Sequence, residues 1–146
     1  MADSPRRLLL DAIGACLQRI TVANGFNTDA GLSWTSEPGQ IDGAGEAVVL
    51  TAVIAKQRRA ADQAFARTHR DTDVAVVIKV PAALDAEQSA LDLIVTDVEA
   101  ALDGQQARFP RGITYPQYQQ MEPVKAPAGA GWVGAVVTFQ SRIPIK

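Results

Sequence analysis

The sequence predicts one α+β domain: a mostly antiparallel or mixed β-sheet with two helices packed on it, in the order α-β-β-β-α-β-β. Three observations predict this. Two segments space their apolar residues by three and four, as a helix with one buried face does. The apolar runs of strand length are grouped together rather than alternated one for one with helices. The length of 146 residues suits a single domain over 1–146, one that buries about two-thirds of its unfolded surface.

The first helix opens at Ser4-Pro5. Ser4 can accept from a first-turn amide, and Pro5 suits the first helical position because its missing N–H would be unpaired anyway. Leu9, Ile13, Cys16, Leu17 and Ile20 form its buried stripe, and Asn24-Gly25 is its expected end. Leu32-Ser33-Trp34-Thr35 alternates as a short strand does. Residues 36–46 form a Gly- and Pro-rich loop.

Residues 47–55 are apolar on both strand faces, which suits a sheet-centre strand. A polar, flexible link over 56–69 is expected next, and then a strand in which Val74, Val76, Ile78 and Val80 share one face. Pro81 stops that strand. The second helix is expected from Asp85, with Gln88 completing a capping box, to Gly104. Leu91, Ile94, Val95, Val98 and Leu102 form its buried stripe. Pro110, Pro116 and Pro123 demote the segment around Tyr115 and Tyr118 to an edge or meandering strand. A buried strand over 132–139 follows, trailing into a loose Ile143-Pro144-Ile145 tail.

Composition excludes several chemistries. A single cysteine, Cys16, allows no internal disulfide and no multi-cysteine zinc site. A single histidine, His69, removes every scheme that needs two imidazoles. Cys16 lies on the apolar face of the first helix and reads as core, and His69 reads as a surface residue at a strand start. The run Gly129-Ala130-Gly131-Trp132-Val133-Gly134 matches GxGxxG but leads into a strand, whereas phosphate binding needs it to open a helix. No catalytic, cofactor or metal site is therefore expected. The N-terminus lacks the apolar region of a secretory signal, and no apolar stretch is long enough for a membrane span. Assembly in the cytoplasm, without a membrane partner, is the expectation.

Charge singles out two surfaces. The segment 56–71 holds Lys56, Arg58, Arg59, Arg67 and Arg70 against Asp62 and Asp71. Its plain reading is a solvated loop; the sharper one is contact with DNA phosphates or with an acidic neighbour. On the second helix Asp85, Asp92 and Glu99 recur every seven residues, and the stretch 85–103 holds no basic residue. An identical subunit could supply this acidic surface to the basic one, in a head-to-tail contact that closes a ring.

Taken together, the opening helix Arg7-Leu8-Leu9-Leu10-Asp11-Ala12-Ile13, the two-faced strand near Val48 and Ile54, and the Val74-Ala75-Val76-Val77-Ile78-Lys79-Val80 strand with its following helix resemble the tail terminator family of tailed bacteriophages. So does the ending Gly131-Trp132-Val133-Gly134-Ala135-Val136-Val137-Thr138-Phe139. The resemblance covers nearly the whole chain as a pattern rather than a motif. It implies an α+β fold, no catalysis, no cofactor, and a six-membered ring that caps the tail tube and joins it to the filled head. Its implied partners are further copies of the chain, the tail tube protein, the head-tail connector protein and, non-specifically, passing DNA. Its implied location is the tail-neck region of a virion assembled in the bacterial cytoplasm. The alternatives are another neck or tail-completion protein, a small ligand-binding or enzymatic α+β domain, and an adaptor for one cellular partner.

Overall fold

The computed structural model describes residues 4–36, 48–81, 87–124 and 131–145. Helix α1 spans Pro5–Leu17, strand β1 Val49–Arg59, strand β2 His69–Pro81, helix α2 Glu87–Ala101, strand β3 Gln117–Val124 and strand β4 Trp132–Pro144. The strands form one sheet in the order β1-β2-β4-β3, and every neighbouring pair is antiparallel. The predicted α+β class therefore holds, with the order α-β-β-α-β-β.

Helix α1 begins as its sequence dictates. Ser4 accepts from the Arg7 amide at 3.2 Å and Pro5 takes the first helical position. Leu9, Ile13, Cys16, Leu17 and Ile20 are all fully buried. The helix nevertheless ends at Leu17 rather than at Asn24-Gly25. A short 3-10 turn, Val22–Asn24, intervenes, and Gly25 (φ 93°) ends that turn instead.

The expected strand at Leu32-Ser33-Trp34-Thr35 does not form. Ala30–Ser33 is a 3-10 turn, and Leu32 is 78% exposed. A parallel bridge from Trp34 to Leu50, a 2.9 Å bond from the Thr35 amide to the Leu50 carbonyl and a 2.7 Å bond from the Thr51 hydroxyl to the Thr35 carbonyl tie it to the sheet. The reason is tertiary. The Gly31 amide bonds the Ile20 carbonyl at 2.8 Å, and an added Cβ at Gly31 would lie 2.6 Å from the Gln18 carbonyl oxygen. That close approach folds the segment under the end of α1, out of strand geometry.

The 56–69 link is also shorter than expected. Lys56 to Arg59 continue β1 past a register shift between Ile54 and Lys56, and β2 begins at His69. Residues 60–68 are a turn in which Ala60 and Ala66 are buried. The Ile143-Pro144-Ile145 tail is not loose. Ile143 is 1% exposed and pairs with Arg70, and the Ile145 amide donates to the Thr68 carbonyl at 2.9 Å.

The core lies between one sheet face and both helices. Val74, Val76, Ile78 and Val80 of β2 share it with Leu50 and Ala52 of β1, and with Ala135, Val137 and Phe139 of β4. The stripe Leu91, Ile94, Val95, Val98 and Leu102 closes it from α2. Asp85 lies outside the described residues, and so do most of the loop 36–46 and two residues of the GxGxxG run, Gly129 and Ala130. The rest of that run enters β4, as a strand. Pro116 precedes β3, which forms one edge of the sheet and is exposed along its length.

Candidate functional site

Two charged surfaces emerge, at opposite edges of the sheet. The first is a cleft of about 330 Å³ at the hairpin end of β1, beside the start of α1. Arg6, Arg58, Arg59 and Arg70 line it over an apolar wall of Ile143, Pro144 and Ile145, and among the described residues no carboxylate lines it. Arg70 comes to the cleft because the antiparallel pairing sets Arg59 opposite Arg70 and Arg70 opposite Ile143, and Arg6 comes from α1. Sequence reasoning singled out Arg58, Arg59 and Arg70 but missed Arg6, which is brought there only by the packing of α1.

The structure also sorts the basic residues. Arg58 is tied to Asp73 at 2.8 Å. That hydrogen bond raises the affinity of its guanidinium for the proton, against the lesser opposing effect of burial. Arg70 donates to the His69 carbonyl at 3.0 Å. Among the described residues Lys56, Arg59, Arg67 and Arg70 make no ion pair. Arg67 lies in the exposed turn and does not line the cleft.

The two acids of this region are already engaged. Arg142 of β4 reaches Asp71 at 3.3 Å and Asp62 at 3.9 Å, with its guanidinium 4.6 Å above the Phe65 ring. Asp71 is buried, which alone would push its pKa up. The Ala61 amide and Arg142 outweigh that and hold the carboxyl below the ordinary aspartate range. The partner Arg142 lies 71 residues from Asp71, so no local sequence signal links them.

The second surface is the flank formed by α2 and β3. Asp92 lines a shallow groove with Leu91, Val95 and Met121. Glu99 faces the Tyr118 phenol, and its interaction with the hydroxyl, more than burial, raises the phenol's pKa. Tyr118 and Met121 are exposed apolar groups on the same strand. Asp97, by contrast, turns inward. It is buried and receives four hydrogen bonds from Asn27 and Thr28, so it fixes a loop rather than adding to the surface charge. Asp92 and Glu99 therefore share an exposed flank, and the fold keeps them away from the basic cleft of the same copy.

Cys16 is wholly buried, and desolvation pushes its thiol pKa up, against weaker opposing effects of Arg108 and Arg19. His69 opens β2 half-buried, its Nδ1 2.7 Å from the Thr68 hydroxyl. No group of three or more potential metal ligands occurs among the described residues. No helix among them is long and apolar enough to cross a membrane.

No protein-family model matches the chain, and no curated protein matches it in sequence. Its fold, however, is one already seen. The chain is similar to a solved chain described as belonging to the virion of a native gene transfer agent (GTA) particle. The TM-score is 0.64 at 17% identity, over 99% of this chain and 100% of that one. What the two share is the fold, end to end.

Proposed function

We propose that this chain is a structural, non-catalytic protein of a tailed-phage virion. In this reading it caps the tail tube as a six-membered ring, ends tube polymerisation and offers the surface that joins the filled head. The observation that carries this reading is the end-to-end fold likeness to a virion chain, with no unmatched segment large enough to be a second domain on either side. The resemblance of the sequence to the tail terminator family adds the particular role. Two exposed edges of opposite charge support self-assembly, since an unprotected sheet edge is an invitation to another chain.

The partners in this reading are further copies of the chain, the tail tube protein, the connector protein and passing DNA. The site is the tail-neck region, assembled in the host cytoplasm. Electron microscopy of particles made with the gene disabled tests it. Overlong, headless tubes that the added protein rescues are the expected result. Tails of normal length that fail to hold filled heads would shift the role to a neck or completion protein. Normal tails on filled heads would remove both.

A further inference from the structure

We infer that the outer edge of β1 in one copy pairs antiparallel with the outer edge of β3 in a second copy, basic end against acidic flank. This deepens the ring reading above, on which it rests, by naming the contact between its subunits. Four features of the sheet carry it.

The first is charge. Strand β1 carries Lys56, Arg58 and Arg59 and no carboxylate, and the adjoining cleft adds Arg6 and Arg70. Helix α2 and strand β3 carry Asp92, Glu99 and Glu122 on exposed positions and no cation anywhere. Such a division gives attraction between copies and sets their order.

The second is position. β1 and β3 are the two outer strands, so the complementary patches face away from each other in one copy. They can meet only between copies, head to tail, in the kind of contact that closes a ring or extends a filament.

The third is direction. Three successive antiparallel pairings make β1 and β3 run opposite ways. A second copy added in the same orientation therefore presents β3 antiparallel to β1, with its helices on the same side of the joined sheet.

The fourth is height along the strands. Lys56 pairs with Asp73, Asp73 with Gln140, and Gln140 with Gln117. The cationic end of β1 thus lies level with the start of β3, where Glu99 stands on Tyr118. Trp34 and Thr35 occupy the outer edge of β1 at Leu50 and Thr51. Beyond them the edge has no backbone partner among the described residues, and neither has the outer edge of β3. A nucleic-acid phosphate would account for the arginines but not for the acidic residues of α2 and β3, among which the described residues place no cation.

The test is a full-length chain carrying Lys56→Cys and Gln117→Cys, both exposed positions, with the native Cys16 buried and out of reach. Mild oxidation is applied to concentrated protein and to particles built with the variant. The expected result is a ladder of disulfide-linked multimers on a non-reducing gel. Adding Arg6→Glu and Arg59→Glu, neither of which breaks an ion pair, reduces the ladder about ten-fold. Further adding Glu99→Lys and Glu122→Lys restores it, because the reversed charges are complementary again. Absence of a ladder in both preparations overturns the inference, and so does a ladder indifferent to charge reversal. An unchanged ladder with lost retention on duplex DNA makes the cleft a phosphate site and also overturns it. Tail length after gene disruption reads the proposed function separately, so the two can fail independently.

Discussion

Asp97 and Thr28 lie 69 residues apart, yet they are joined by two hydrogen bonds to one carboxylate oxygen, from the Thr28 hydroxyl at 2.7 Å and from its amide at 2.8 Å. The other oxygen takes the Asn27 amide and side chain, each at 3.0 Å. With Asp97 only 2% exposed, α2 thereby anchors the chain that leaves α1. Replacing the carboxylate removes all four bonds at once, two of them from the backbone amides of exposed Asn27 and half-buried Thr28. Asp97→Ala is expected to cost on the order of 3 kcal/mol, read as a lowered denaturant midpoint. An unchanged midpoint would show that the loop does not depend on this anchor.

Asp71 makes stability depend on pH. Its carboxyl is held below the ordinary value of 3.8, so its contribution is complete above that value and is lost as the pH falls toward and through the native pKa. Asp71→Asn should destabilise the protein by about 1–3 kcal/mol at neutral pH because Arg142 loses its charged partner. The difference between the two proteins should then shrink below about pH 3.8 as the wild-type carboxylate is protonated. Parallel stability curves across that range would contradict this.

Gly14 is in the middle of α1, where alanine would ordinarily be better by about 1 kcal/mol. Here the Trp34 ring occupies the space, and an added Cβ would lie 2.5 Å from Trp34 Cζ2. Gly14→Ala should therefore destabilise, by about 1–3 kcal/mol, with a perturbed Trp34 fluorescence as the signature. Shrinking the ring by Trp34→Leu in the same chain should recover part of the loss. Thermal melts of the single and double variants decide it.

The Tyr118 phenol reports on the acidic flank. The Glu99 carboxylate beside the phenol favours its protonated form, so Glu99→Gln should move its titration back toward the ordinary tyrosine value of 10.0. Tyr115 is also raised, but chiefly by burial, and its hydroxyl donates to the Leu102 carbonyl, so it should not follow. A spectrophotometric titration of the phenols distinguishes the two. If subunits pair through this flank, the Tyr118 shift will also depend on protein concentration.

The residues of both helices and of strands β2 and β4 were legible because they obey local rules, whereas β1, whose two apolar faces suit a sheet centre, lies at the sheet edge instead. The stripe Leu9, Ile13, Cys16, Leu17 and Ile20 declares a helix by its spacing, and every member is fully buried. Val74, Val76, Ile78 and Val80 declare a strand face in the same way. Pro116 and Pro123 correctly mark an edge, since proline cannot donate to a ladder on both sides. Where locality ended, the reading failed. Leu32 to Thr35 alternates like a strand, but the contact of Gly31 with the end of α1 overrides that preference. Lys56 to Arg59 looks like a polar link, yet pairing with Arg70 to Asp73 makes it strand.

The sequence by itself determined the fold class, the two buried helical stripes, the burial of Cys16 and the presence of a basic and an acidic surface. Each follows from residue type and spacing over a few turns. Only the tertiary structure decided the strand order β1-β2-β4-β3, which sets those surfaces on opposite edges of one sheet. It alone brought Arg6 to the basic cleft, gave Asp62 and Asp71 to Arg142, and turned Asp97 inward while leaving Glu99 on the surface. These depend on contacts between residues far apart in the chain, and the free energy of such contacts is set by burial and geometry that no local pattern encodes.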